Sequence, residues 1–144
     1  MDREELLKRE DEAWHELVDA LAAMPVSRRD IEGVVPGWST HDLVWHCAYW
    51  AAYTSDVLDT LHRGEPEPAE AEDRDALDAE ILATGREMNW DDAYLRLEQG
   101  RERARASLSA FDELPELAVE WFEDDTLKHY EEHAAEIREF SAAS

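Results

Sequence analysis

The stretch from Asp124 to Phe140, D-D-T-L-K-H-Y-E-E-H-A-A-E-I-R-E-F, decides the fold prediction. At about 100° per residue of an α-helix, six of its side chains share one face, and charged residues fill the flanks and the back. That face consists of Thr126, His129, Tyr130, His133, Ile137 and Phe140. The pattern predicts an amphipathic helix that points two histidines into the protein.

The two histidines, His129 and His133, stand four residues apart, one helical turn. Two imidazoles at this spacing can converge on one metal ion, as in the metalloprotease motif, although the glutamate of that motif is missing here. Two ligands leave an ion under-coordinated, so a metal site needs a third ligand from elsewhere in the chain. The alternative is a pair of hydrogen-bonded core histidines that bind no metal.

Composition predicts one all-α domain that spans residues 1–144. The 144-residue chain is long enough to bury a sizeable core, and it contains only five glycines and five prolines. The segments between them are rich in Ala, Leu, Glu and Arg, and no useful run alternates β-branched or aromatic residues with polar ones. Strands are therefore not expected.

The chain is strongly acidic, with 14 Lys and Arg against 37 Asp and Glu and a net charge of −23. This charge repels phosphate backbones and anionic lipids, so we expect neither a nucleic acid nor a membrane partner. The N-terminal residues lack an apolar signal region, and no segment approaches the roughly 20 apolar residues of a membrane span. The expected location is therefore the cytoplasm, and the single cysteine, Cys47, excludes an internal disulfide and fits a reducing compartment.

Three further long helices are expected from the apolar periodicity. The first runs from Asp2 to Ala23 and ends at Met24-Pro25, before a loop over 26–38. The second starts at Ser39, in the capping signal S-T-H-D, and continues to about Arg63. Its buried stripe is centred on His46, which is the candidate for the third metal ligand.

The second and third long helices are joined by more than 20 residues. Glu65 to Asp73 forms an exposed linker, and a short helix around Leu77 to Leu82 follows it. A connection of this length indicates one long crossover in a helix bundle rather than a chain of simple hairpins. The third long helix is capped by Asn89 and continues to Phe111.

The last connection and the fourth helix are predicted from weaker signals. Leu114-Pro115 breaks the third helix, and Leu117 to Phe122 is expected to form a loop or a short turn under the bundle. Asp124, Asp125 or Thr126 then caps the fourth long helix.

Several side chains near His46 have both a functional and a structural interpretation. Asp42 either caps the second helix or has a functional role, in which it orients a ligand histidine or accepts a proton. Tyr49, Trp50 and Tyr53 either line a substrate pocket or belong to the core. Cys47 lies about 100° around the helix from His46 and is expected to be a packed thiol, not a ligand.

Arg101 interrupts the apolar stripe of the third long helix, as Glu10 does in the first. A buried guanidinium needs an acceptor. Arg101 therefore either pairs with a carboxylate such as Glu10 or binds the carboxylate of an acidic cofactor.

Two motifs resemble those of the DinB-like superfamily: P-G-W-S-T-H-D-L-V-W-H, Pro36 to His46, and H-Y-E-E-H-A-A-E-I-R, His129 to Arg138. This superfamily includes the N-terminal domain of mycothiol-dependent maleylpyruvate isomerase and the bacillithiol S-transferases. The resemblance spans most of the chain in motif order and helix spacing. It implies an up-down-down-up four-helix bundle that holds a divalent metal on His46, His129 and His133.

The resemblance also implies a class of chemistry. Zinc is the metal expected first, with nickel or iron as alternatives, and the expected activity is a thiol S-transferase or isomerase that uses a low-molecular-weight thiol. The alternatives are a metal-bearing binding or sequestering protein without turnover and a metal-assisted hydrolase. The expected partner is a small-molecule substrate or thiol, and a homodimer is left open.

Overall fold

The chain is built from helices, as its composition predicted. The computed structural model describes residues 2–143, and no β-strand occurs in that range apart from an isolated bridge between Val35 and Trp38. The α-helices are α1 (Arg3–Ala23), α2 (Thr40–His62), α3 (Arg74–Arg86), α4 (Trp90–Ser109), α5 (Glu116–Phe122) and α6 (Lys128–Ala142). A short 3₁₀ helix spans Val26–Arg28, and a π turn, Glu123–Leu127, joins α5 to α6. No helix among these residues is long and apolar enough to cross a bilayer.

Two helices begin at side chains that the sequence indicated as caps. Asn89 caps α4 by accepting a hydrogen bond from a backbone N–H of the first turn. Ser39 and Asp42 form a reciprocal capping box at the start of α2. These two interactions are confined to one helical turn, which explains why the sequence predicts them correctly. Asp2 caps α1 in the same way as Asn89 caps α4.

The prediction for the segment before α6 is wrong. Residues 117–122 belong to helix α5, and the chain continues from it through the π turn into α6, so no side chain of 124–126 caps a new helix. Pro115 supplies the fixed φ that suits a helix start. Phe122 and Leu127 are both fully buried, and the wide turn between them lets both face the core. This outcome depends on tertiary packing rather than on local capping.

The core forms where α1 packs against α6 and α2 packs against α4, while α3 lies on α2. Gly100 permits the close approach of α4 to α2, because a Cβ there would lie 3.1 Å from the carbonyl oxygen of Ala48 and 3.3 Å from the Cβ of Ala51. The close contact fixes α2, the helix that carries His46, against a rigid neighbour.

A buried ion network joins α1 to α4. Glu10 is fully buried, and its carboxylate accepts hydrogen bonds from Arg101 at 3.0 Å and from Arg105 at 2.8 Å. Arg101 also donates to Asp11 at 2.6 Å, and its guanidinium lies 4.9 Å from the ring centroid of Trp14. Arg101 is therefore engaged inside the protein, which supports its structural interpretation and not its role as a receptor for a cofactor carboxylate.

The linker of residues 64–73 is exposed except at Pro68, which is half-buried. This agrees with the sequence prediction. One contact ties the linker to α5: the indole N–H of Trp121 donates to the carboxylate of Glu67 at 2.8 Å.

Candidate metal centre

Three histidines from two helices meet inside the helical assembly. One ring nitrogen from each of His46 on α2 and His129 and His133 on α6 lies within 4.8 Å of the others. The ring centroids are 4.8 Å apart for His46 and His129, 5.4 Å for His46 and His133, and 4.5 Å for His129 and His133. Within residues 2–143, no carboxylate or thiol joins this group. We call these three residues the histidine cluster.

Aromatic neighbours hold the imidazole of His46 in place. Trp38 lies edge-on to it at 5.1 Å between ring centroids, and Trp50, one turn further along α2, lies edge-on at 6.5 Å. Aromatic rings in this arrangement favour one orientation of the imidazole. The capping box at Ser39 fixes where α2 begins and thus the position of His46 along the helix axis.

Burial keeps two of the histidines neutral. Desolvation is the main cause and the neighbouring His133 the second of the low pKa values of His46, about 4, and His129, about 2. Neutral imidazole is the form that coordinates a metal. At pH 7 these two rings are therefore ready to act as ligands without losing a proton.

The nitrogen atoms of the histidine cluster suit a divalent metal. The Nδ1 atoms of His46 and His129 are buried and have no hydrogen-bond partner among the described residues. A buried polar atom without a partner costs free energy, and a metal ion bound by these Nδ1 atoms would offset that cost. Three imidazoles with no fourth protein ligand match the donor set of a catalytic zinc site, which keeps one position open.

The sequence analysis missed Glu136 as a member of the site. Its carboxylate Oε1 lies 2.5 Å from Nδ1 of His133, which leaves Nε2 of that ring to face a metal. A carboxylate behind a ligand histidine fixes the tautomer and orients the ring. Glu136 was assigned to the charged flank of α6, although its spacing of three residues from His133 was a usable signal.

We expect Glu136→Gln to weaken metal binding by roughly 10- to 100-fold while leaving the helical content unchanged. The amide keeps the size of the side chain but cannot support the ring as a carboxylate does. The affinity is measured by competition with a metal-binding dye. Glu132→Gln, an exposed position on the same helix, is the matched control, and an equal affinity in the two variants would contradict the role of Glu136.

The lowered histidine pKa values predict that the metal-free protein loses stability in acid. A histidine whose pKa falls on folding binds protons more readily in the unfolded chain, so stability declines as pH drops below about 6.5. Between pH 7 and 4.5 we expect the titration of His46 and of His129 to lower the free energy of unfolding by roughly 2–3 kcal/mol each. Burial raises the pKa of Asp125 to about 6. Protonation of Asp125 therefore raises the free energy of unfolding by about 2 kcal/mol over the same range.

Urea denaturation of the chelator-treated protein at the two pH values checks this net loss of roughly 3 kcal/mol. Other carboxylates titrate over the same range, so the wild type is compared with His129→Asn. The variant should lose about 2–3 kcal/mol less on acidification. Equal losses in the two proteins would show that His129 is not the source.

Asp42 stabilises the start of α2 and the contact between α2 and α3. Its carboxylate accepts the backbone N–H of Ser39 at 2.9 Å and two hydrogen bonds from Arg86 at 3.3 and 3.2 Å. The cap interpretation is thus the one that the geometry supports.

Cys47 lies in the core, where burial raises the pKa of its thiol, and it is not part of the histidine cluster.

A half-open cleft of about 890 Å³ is linked to the histidine cluster through Trp50, which lines the cleft and lies edge-on to His46, whereas none of the three histidines lines the cleft itself. Tyr49, Trp50 and Tyr53 line it from α2, and Trp50 is also largely buried. Trp121 of α5 completes an aromatic wall, with its ring centroid 5.9 Å from that of Tyr53. Residues 67–71 of the linker form another side of the cleft, so the linker contributes to the shape of the site.

Comparison with known proteins shows the fold. No family model and no curated protein matches the sequence. The structure is similar to the crystal structure of an uncharacterised protein from Escherichia coli UTI89, with a TM-score of 0.79 and 15% sequence identity. The similarity covers 98% of this chain and 93% of that chain. The helical arrangement therefore occurs in a solved structure over nearly its full length.

Proposed function

We propose that this protein is a divalent-metal protein of the DinB-like superfamily and acts as a metal-dependent thiol S-transferase or isomerase with a low-molecular-weight thiol. One observation carries the proposal: the nitrogens of the histidine cluster lie within 4.8 Å of one another, without a fourth ligand in residues 2–143. The adjacent cleft gives room for a substrate. In this proposal α1, α2, α4 and α6 form the superfamily's up-down-down-up bundle, with α3 in the crossover.

The roles of the residues follow from their contacts. His46, His129 and His133 would hold the ion, most simply zinc, with nickel or iron as alternatives. A bound divalent ion would supply a Lewis-acid position that favours the thiolate form of a thiol at neutral pH. Glu136 orients His133 through its hydrogen bond, and Trp50 lies between His46 and the cleft.

The proposal is tested with the cobalt-substituted protein. A thiol such as mycothiol or bacillithiol should produce a sulfur-to-metal charge-transfer band and react with monochlorobimane faster than it does without protein. Both signals should disappear in His46→Ala while the helical circular dichroism remains. A charge-transfer band without rate acceleration would instead favour a metal-bearing binding protein, and no spectral response to any thiol would overturn the transferase proposal.

A further inference from the structure

The cleft beside the histidine cluster combines aromatic walls with an excess of carboxylates. We propose that it binds an organic cation, a small molecule that carries an alkylammonium group. The inference rests on the proposed function in one respect: it assigns a positive charge to the substrate of the reaction proposed above. The binding of the cation itself is independent of the metal.

The first support is the aromatic wall. Tyr53 lies at its centre, with ring centroids 5.4 Å from Trp50, 5.9 Å from Trp121 and 6.3 Å from Tyr49. The faces of Trp and Tyr rings attract cations, and aromatic cages are the common receptors for alkylammonium groups. Four rings grouped around one cleft provide such a surface over both α2 and α5.

The second support is a cation that already uses this wall. The guanidinium carbon of Arg74 lies 4.5 Å from the ring centroid of Trp50, on the cleft side of α3. Arg74 also donates to Asp78 at 3.2 Å, so its charge is partly compensated. The protein thus uses this binding mode at Trp50, and no cation of the described residues lies over the rings of Tyr53 or Trp121.

The third support is the charge of the cleft. Five carboxylates line it against the single guanidinium of Arg74; they are Glu67, Glu70, Glu120, Asp124 and Asp125. Asp124 is compensated by Lys128 at 3.3 Å, and Glu67 accepts the indole N–H of Trp121. The remaining negative potential attracts cations and repels anionic ligands.

Asp125 is the carboxylate that a ligand cation would neutralise. It has no hydrogen bond or ion pair in the part of the chain that the structure describes, and burial is the main reason that its pKa is raised. A charged group that is partly desolvated and unpaired gains the most from an opposite charge. Trp50 lies beside both His46 and Tyr53, so a cation held near Tyr53 and Asp125 is separated from His46 by one aromatic ring.

Three probes of nearly equal shape test the proposal. They are choline, its neutral analogue 3,3-dimethylbutan-1-ol and the anion 3,3-dimethylbutanoate, and each is titrated at pH 7.5 against the full chain by ligand-observed NMR and tryptophan fluorescence. We expect choline to bind at least 10-fold more tightly than the neutral alcohol and the carboxylate not to bind. Equal binding of choline and the alcohol, or a preference for the carboxylate, would overturn the proposal.

Two variants locate the binding. Asp125→Asn, which preserves the shape of the side chain, and Trp121→Leu should each weaken choline binding at least fivefold, with unchanged helical circular dichroism. Glu113→Gln removes one negative charge at an exposed position outside the cleft and should leave choline binding unchanged. If Asp125→Asn binds choline as the wild type does, the cation is not held here and the proposal fails.

The same titration in His133→Ala separates this inference from the proposed function. Choline should bind that variant with wild-type affinity, because none of the residues that hold the cation is a metal ligand. Choline binding together with a silent cobalt spectrum would reject the thiol chemistry and retain the cation site. Thiol reactivity without choline binding would reject the cation site and retain the thiol chemistry.

Discussion

Replacing His133 with alanine is expected to lower the bound divalent metal from about one ion per chain to nearly none. The two remaining imidazoles cannot complete a stable site, and no other His, Cys, Asp or Glu of residues 2–143 belongs to this group of possible ligands. The substitution also leaves Glu136 without its partner. Elemental analysis of the purified and dialysed proteins measures the difference directly.

The matched control is His41→Ala. His41 belongs to the same helix as His46 but lies next to the carboxylate of Asp30, at 2.8 Å from it, and does not belong to the histidine cluster. This variant should retain the metal content of the wild type. Equal metal content in His133→Ala and the wild type would reject the assignment of the metal centre.

Glu10→Ala is expected to reduce the free energy of unfolding by about 3–5 kcal/mol. Glu10 is fully buried and accepts hydrogen bonds from both Arg101 and Arg105. Its removal leaves two cationic side chains with fewer acceptors at the α1–α4 contact, and an uncompensated charge is costly in that environment. Urea denaturation followed by circular dichroism gives the value.

Two further variants show whether this loss comes from uncompensated charge. Asp11→Ala removes the other partner of Arg101, but the Asp11 side chain is 48% exposed, so a loss below about 1 kcal/mol is expected. Adding Arg101→Met to Glu10→Ala should recover part of the lost stability, because the isolated guanidinium is then gone. A double variant less stable than Glu10→Ala would contradict this explanation.

The features predicted correctly from the sequence depend on one helical turn or on one helical face. Ser39 and Asp42 form their capping box within four residues, so the chain needs no tertiary information to place the start of α2. The inward orientation of His46, His129 and His133 follows from the apolar stripes of two helices. Their convergence at one point was expected from the family resemblance, and the structure brings the three rings together.

The features that sequence analysis missed depend on contacts between distant segments. Arg86 binds Asp42 across 44 residues, and nothing in the local pattern of α3 indicates that partner. Trp121 was assigned to a loop, yet it forms part of the cleft because α5 packs under α2. Charged residues on an amphipathic helix are usually solvated, which is why Glu136 was not distinguished from its neighbours.

The π turn at Glu123–Leu127 changes how this sequence should be aligned with others. A π turn accommodates one residue more than an α-helical turn while the helix on each side keeps its direction and its buried face. A relative with an uninterrupted helix would therefore carry one residue fewer here and still place its histidines at the same points in space. Alignments that allow no gap within 123–127 would shift His129 and His133 out of phase with their counterparts and hide a shared metal centre.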